Sequence, residues 1–85
     1  MRKVFKYKML DKEALPLGHK IIMTAKQDGV WYIWVEFDTA NEANTVDVAF
    51  KVFGTGHPIP KEWVHLYSYI ERPFIWHIYW SFVNQ

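Results

Sequence analysis

Apolar and polar residues alternate with a period of two along much of the chain. Residues 30–38, VWYIWVEFD, form two separate rows. One row contains the odd positions from Trp31 to Phe37, and the other contains the even positions from Val30 to Glu36. Residues 45–53, TVDVAFKVF, and 74–82, FIWHIYWSF, alternate in the same way. Because successive side chains of a β-strand point to opposite faces, these three segments predict strands.

Three further segments are rich in β-branched or aromatic residues and also predict strands. They are residues 3–10, 19–27 and 63–71. Between the strands, ERPF at 71–74 predicts a chain reversal, and TANEAN at 39–44 predicts a polar loop. DKEALP, residues 11–16, is the one segment predicted to form a helical turn, and Pro16 would end that turn.

Asp28-Gly29 lies between two strand-like segments and predicts a type I′ hairpin turn, because both central residues of that turn need positive φ. A two-residue turn at this point pairs Gln27 with Val30. The same register sets Met23 across from Trp34 and Ala25 across from Tyr32.

These elements predict an all-β fold of about six mostly antiparallel strands, in a small meander barrel or sandwich with little or no helix. Residues 1–85 are expected to form a single small β domain, because so short a chain cannot divide its core. Apolar residues make up 51% of the chain and aromatic residues 19%, more than one small core can hide. The excess predicts contact with a second copy of the chain or with a ligand.

The composition also indicates the cellular compartment of the protein. There is no cysteine, so neither a disulfide framework nor a thiolate metal site is possible. The N-terminal residues lack the continuous apolar segment of a signal peptide. The longest apolar run, Val30 to Val35, is far shorter than the ~20 residues that a membrane span requires. We expect a cytoplasmic protein without membrane contact.

Ten basic and nine acidic residues give a net charge of +1, which disfavours nucleic acid as a partner. Basic residues nevertheless crowd the first twelve positions: Arg2, Lys3, Lys6, Lys8 and Lys12. The favoured interpretation is an edge strand that lysine protects against aggregation. A nucleic-acid footprint is the alternative.

Four histidines are candidates for metal or acid–base chemistry: His19, His57, His65 and His77. Their spacings match no metal-binding pattern, and we expect neither a metal nor another cofactor. No serine nucleophile motif occurs, and we expect no catalytic residues. Catalysis would require His57, His65 and His77 to meet as general acid and base, so an enzyme is the less favoured interpretation.

Aromatic rings that carry polar groups lie along the last two predicted strands. His77 and Tyr79 share one face of the last strand, and Trp63, His65, Tyr67 and Tyr69 are predicted to share one face of the preceding strand. If the turn at 71–74 brings both sets to one side, they form a platform that could stack a base. Otherwise these rings fill a core or a subunit interface.

The segment Gly54-Thr55-Gly56-His57 interrupts the strands with two glycines and a histidine. Gly54 and Gly56 could turn successive amides inward to form a nest for an anion, and His57 could donate to a phosphate. It is not the phosphate-binding P-loop pattern, since no Gly-Lys-Ser/Thr follows. A purely structural corner is the alternative.

Several motifs together resemble a family of short bacteriophage and prophage proteins of unknown function. They are Lys6 with Tyr7, Pro16 with Gly18, Trp34, residues 54–59 (Gly-Thr-Gly-His-Pro-Ile), and Trp76 with His77. His19 departs from the pattern, and so do Trp80 and the tail SFVNQ at 81–85, which extend the last strand. The resemblance implies a phage origin and the cytoplasm of an infected host, and it carries over no catalytic residues.

We therefore expect a binding module that forms a homo-oligomer and sequesters a nucleotide-derived ligand such as a host immune signal. Its expected ligand-binding residues are Gly54, Thr55, Gly56, His57, Trp34, Tyr67, Tyr69, His77 and Tyr79. The alternative is an inhibitor that binds a host protein, or a structural protein, with no small-molecule ligand.

Overall fold

The computed structural model describes residues 1–83, which contain seven β-strands. The strands are β1 (Arg2–Lys8), β2 (Lys12–Pro16), β3 (Lys20–Gln27), β4 (Val30–Asp38), β5 (Thr45–Gly54), β6 (Val64–Glu71) and β7 (Phe74–Phe82). The only helical element in this range is a short 3-10 turn, Thr39–Asn41. The all-β prediction is confirmed, with one more strand than expected. Asn84 and Gln85, where the predicted domain and the tail end, lie outside the described residues.

The strands form two antiparallel sheets that pack face to face. Sheet 1 has the strand order β1-β4-β3, and sheet 2 has the order β2-β5-β7-β6. Ile33 and Val35 of β4 form one buried cluster with Leu15 of β2 and with Val48 and Phe50 of β5. The shortest dimension of the molecule, 16 Å, fits two layers whose spacing is ~10 Å. The sheets therefore form a sandwich and do not close into a barrel.

β4 has the alternation that its sequence predicted. Ile33, Val35 and Phe37 are buried against sheet 2, so Tyr32 and Trp34 lie on the outer face of sheet 1, the face turned away from sheet 2. Apolar residues in both rows therefore leave aromatic rings on a face that no other described strand covers.

The hairpin between β3 and β4 has the predicted register. Gln27 pairs with Val30, Ala25 with Tyr32, and Met23 with Trp34. Asp28 and Gly29 have φ values of 51° and 80°, as the type I′ turn requires.

Residues 12–16 form strand β2, and the predicted helical turn at 11–16 is wrong. A single helical turn fixes several residues for one hydrogen bond, which makes it unfavourable by itself. Pairing with β5 instead gives a ladder from Lys12 to Pro16 and buries Leu15 completely. Pro16 fits this edge strand because it ends the ladder.

Strand β1 lies at the edge of sheet 1 and pairs only with β4 among the described strands. Its lysines therefore occupy the position where charge opposes sheet-to-sheet association. Among residues 1–83, no helix has the length and apolar character that crossing a membrane demands.

Candidate functional site

A β-bulge at Leu66 divides the aromatic residues of β6 between two faces. His65 pairs with Tyr79, but Tyr67 pairs with Ile78, because the register shifts between them. Ile78 is buried between the sheets, so Tyr67 and Tyr69 point inward while His65 points outward with Tyr79. The prediction that Trp63, His65, Tyr67 and Tyr69 share one face is therefore wrong. A bulge inserts one residue without a partner, and alternation along the sequence does not reveal it.

Four side chains form a hydrogen-bonded hydroxyl–imidazole chain on the outer face of sheet 2. Nε2 of His65 lies 2.7 Å from Oγ of Ser68, and the same oxygen lies 2.7 Å from Nδ1 of His77. Nε2 of His77 lies 2.9 Å from Oγ1 of Thr55. The chain thus joins β6 and β7 to the loop that follows β5.

The carbonyl oxygen of Ile75 fixes the direction of this chain. A carbonyl only accepts, so the Thr55 hydroxyl donates to it at 3.3 Å and accepts from Nε2–H of His77. In a neutral His77, Nδ1 then accepts from the Ser68 hydroxyl, and Ser68 accepts from Nε2–H of His65. Each neutral imidazole therefore carries its proton on Nε2.

Aromatic rings continue from the hydroxyl–imidazole chain across sheet 2. The Tyr79 ring lies 5.3 Å from the His65 ring and 5.4 Å from the Phe53 ring, both edge-on. Phe53 also contacts Trp63 at 6.0 Å, and Nζ of Lys51 lies 5.3 Å from the Phe53 centroid. Edge-on contacts hold these rings against one another rather than leaving parallel slots between them.

The Gly54–His57 loop is a tight turn. The amide of His57 donates to the carbonyl of Gly54 at 3.1 Å, and Gly56 has a φ of 89°, as a type II turn requires. Gly54 is required for a different reason. A Cβ atom there would lie 3.1 Å from Cε1 of His57 and 3.2 Å from Cζ3 of Trp76. The His57 ring therefore packs over Gly54, on the same side as Trp76.

This loop borders a cavity of about 410 Å³, which we call the loop pocket. Its lining residues are Gly54, Thr55, His57, Pro73, Phe74, Ile75 and Trp76. The Phe74 and Trp76 rings lie 5.7 Å apart, and Phe74 is 58% exposed. The pocket thus combines one imidazole and one hydroxyl with two aromatic rings.

The predicted ligand-binding residues fall into three places. At the end of sheet 2, Thr55 of the 54–57 loop bonds to His77 on the outer face, where Tyr79 also lies, whereas His57 packs beside Trp76 on the other side of this sheet. Trp34 lies on the outer face of sheet 1, on the opposite side of the sandwich. Tyr67 and Tyr69 contact Trp31 of β4, at ring distances of 5.9 and 4.7 Å.

The position of Tyr69 also changes its chemistry. Burial, and to a lesser degree the nearby Glu71 carboxylate, raises the pKa of the Tyr69 phenol above its ordinary value. Tyr69 therefore remains a neutral phenol, half-buried beside Trp31.

Ser68, Phe74 and Trp76 belong to the site but were not among the predicted residues. Ser68 joins two imidazoles, and the two rings wall the loop pocket. The period-two pattern did place Phe74 and Trp76 on one face of β7. Their closeness to residues 54–57 follows from the pairing of Gly54 with Trp76, a long-range register that no local signal encodes.

The arrangement offers little support for catalysis. His65 and His77 share Ser68, but His57 packs beside Trp76 on the other side of sheet 2. Ser68, His77 and Thr55 are hydrogen-bonded in the order of the nucleophile, base and orienting group of a catalytic triad. The third group, however, is the Thr55 hydroxyl, and it cannot stabilise an imidazolium as a carboxylate would. Within residues 1–83, no group of three or more histidine, aspartate or glutamate side chains could hold a metal ion.

We expect Ser68→Ala to change the tautomers of the paired histidines. Without the shared hydroxyl, His65 loses the acceptor that holds its proton on Nε2, and it should become a mixture of both tautomers. Long-range ¹H–¹⁵N correlation spectra of the imidazole nitrogens measure this directly. The stability cost should not exceed about 1 kcal/mol, because these hydrogen bonds are exposed.

Thr55→Val provides the matched control for this prediction. The substitution keeps the shape of the side chain but removes the Thr55 hydroxyl, which breaks its bonds to Nε2 of His77 and to the Ile75 carbonyl and leaves the bonds of Ser68 intact. His77 should respond while His65 keeps its tautomer. An unchanged His65 spectrum in Ser68→Ala would show that the chain does not orient the ring.

Residues 1–84 match the model of a protein family described as a domain of unknown function (DUF7352). The match extends across all seven strands. Comparisons with curated proteins and with solved structures gave no match. The functional assignment therefore depends on the chemistry of the site.

Proposed function

The chain belongs to the DUF7352 family, and we propose that it is a non-catalytic binding module that sequesters a nucleotide-derived ligand. The loop pocket carries this proposal, because His57, Phe74 and Trp76 surround a single cavity. Its volume of about 410 Å³ lies within the 300–1,000 Å³ range typical of small-molecule sites.

The two ends of a nucleotide suit the two kinds of residue in the pocket. The imidazole of His57 can donate to a phosphate, and the bond is stronger when the ring is protonated. Phe74 and Trp76 offer π-faces, and stacking a base on an aromatic side chain contributes ~1–3 kcal/mol. These two rings replace Trp34, Tyr67 and Tyr69 as the stacking residues in the proposal.

The proposal extends to a phage origin. The resemblance of Gly54–Ile59 and of Trp76 with His77 to short phage and prophage proteins supports it. In the cytoplasm of an infected host, the nucleotide-derived ligand would be an immune signalling molecule. Its sequestration would then counteract the host defence.

A thermal-shift panel tests the proposal. We expect a cyclic dinucleotide or an ADP-ribose derivative at 100 times its Kd to raise Tm by about 10–20 °C, because such binding adds ~2.7 kcal/mol to a small domain. Unmodified nucleosides should give smaller shifts, because they lack the phosphate. If no member of the panel changes Tm, the protein does not have this function.

The same panel tests the role of His57. His57→Ala should reduce the ligand-induced shift by about 5 °C or more, through loss of a charge-assisted hydrogen bond. His19→Ala is the matched control, because His19 ends a similar turn in which its amide donates to Pro16. Equal losses in both variants would contradict a phosphate contact at His57.

The exposed apolar residues around the β6–β7 turn favour a second candidate function. Ile70 is 71% exposed and Ile75 46% exposed, and the two residues pair with each other across β6 and β7. A phage inhibitor of a host protein, a structural protein or a homo-oligomer would cover such residues. A stoichiometric protein partner from host lysate, together with no response to the ligand panel, would favour this candidate.

A further inference from the structure

The outer face of sheet 1 brings aromatic rings and lysines together on the side of the sandwich opposite the outer face of sheet 2. Tyr32 and Trp34 lie there because their neighbours Ile33 and Val35 are buried, and their rings are 6.5 Å apart. Val4 and Met23, on either side of β4, are about half exposed. None of these residues takes part in the loop pocket.

Lysines of β1 align with these rings in the register of the sheet. Lys6 pairs with Trp34 and Lys8 pairs with Tyr32. Nζ of Lys6 lies 4.2 Å from the Tyr32 centroid and 5.7 Å from the Trp34 centroid. It also donates to Oε1 of Gln27 at 2.6 Å, so the lysine lies across the width of β4.

The acidic residues of this face lie at its other end. Glu36 pairs with Val4 and Lys20, and its carboxylate contacts Arg2 at 3.1 Å. Asp38 lies beyond it, opposite Arg2. Around Tyr32 and Trp34, the register instead places Lys6 and Lys8 with the uncharged residues Met23, Ala25, Gln27 and Val30. That half of the face is therefore both aromatic and positively charged.

We propose that this half of the face binds single-stranded nucleic acid. Unpaired bases present π-faces to Tyr32 and Trp34, while Lys6 and Lys8 neutralise adjacent phosphates, which is how sequence-tolerant single-strand binders work. In a duplex the faces of the bases are covered by stacking, so only unpaired bases can stack on these two rings. An acidic protein would match the lysines but would leave the two rings without partners.

Fluorescence anisotropy with a 5′-fluorescein-labelled 15-nucleotide oligo(dT) and its RNA counterpart tests the proposal. We expect binding in 20 mM NaCl that weakens as salt rises. Trp34→Leu should weaken binding roughly 5- to 100-fold through loss of one stacked base. Lys6→Gln should weaken it and reduce the salt slope by about 0.7, the contribution of one phosphate contact to a single strand.

Lys51→Gln is the matched control. Lys51 also lies over an aromatic ring, Phe53, but on the outer face of sheet 2. We expect this variant to bind the oligonucleotide as the unmodified protein does. Lys6 is exposed, so its replacement tests the surface even if Trp34→Leu does not fold.

Three results would each overturn the proposal. The first is no anisotropy change at 200 µM protein in 20 mM NaCl. The second is an equal loss of affinity in Lys6→Gln and Lys51→Gln. The third is binding of fluorescein-labelled poly-glutamate in the same assay without binding of the oligonucleotide. That result would assign the face to an acidic protein.

Discussion

Phe37→Ala is expected to lower the free energy of unfolding by about 3–5 kcal/mol, the range for truncating a buried phenylalanine. Phe37 is 2% exposed and belongs to the cluster that joins both sheets. Its ring also contacts the Phe5 ring edge-on at 5.5 Å, so the substitution removes an aromatic pair and leaves a cavity. Urea denaturation measures the loss as a lower midpoint at an unchanged slope.

Phe74→Ala is the matched control, because it removes the same atoms from a side chain that is 58% exposed. We expect a stability loss below about 1 kcal/mol, together with weaker binding of the nucleotide-derived ligand proposed for the loop pocket. The two variants thus separate the core from the site. A small effect of Phe37→Ala would mean that the two sheets do not share one core.

The parts of the fold that the sequence predicted depend on local signals. Period-two alternation identified β4, β5 and β7, because each has one face buried against the other sheet. The turn at Asp28-Gly29 fixed a register that extends from Gln27 to Met23, because a two-residue turn leaves no freedom in pairing. Local chemistry and tertiary packing agree in this hairpin.

The candidate site was less predictable because it depends on long-range register. Residues after the bulge at Leu66 lie on the face opposite to the one that strict alternation from His65 predicts. No local sequence pattern reveals this bulge. The pairing of Gly54 with Trp76 brings together residues far apart in the chain. The sequence could identify the 54–57 loop as unusual, but only the strand pairing supplies the rings that surround it.

The net charge of the chain does not reveal how charge is distributed over its surface. A total of +1 does not show that Glu36 and Asp38 lie at one end of sheet 1 while Lys6 and Lys8 lie beside Tyr32 and Trp34 at the other. The N-terminal lysines do lie on an edge strand, as expected. In the nucleic-acid proposal, Lys6 and Lys8 would bind phosphates as well as protect that edge, because both lie on the outer face.

Leu15→Ala is expected to cost about 2–5 kcal/mol of unfolding free energy, and it tests the element that the sequence failed to predict. Leu15 is completely buried in β2, where it pairs with Val46 at the edge of sheet 2. Leu17→Ala is the matched control, because Leu17 lies just after the end of β2 and is 52% exposed, and it should cost less than about 1 kcal/mol. If residues 11–16 formed an exposed helical turn instead, the two substitutions would have similarly small effects in urea denaturation. A large difference between them requires that this segment completes the core as a strand.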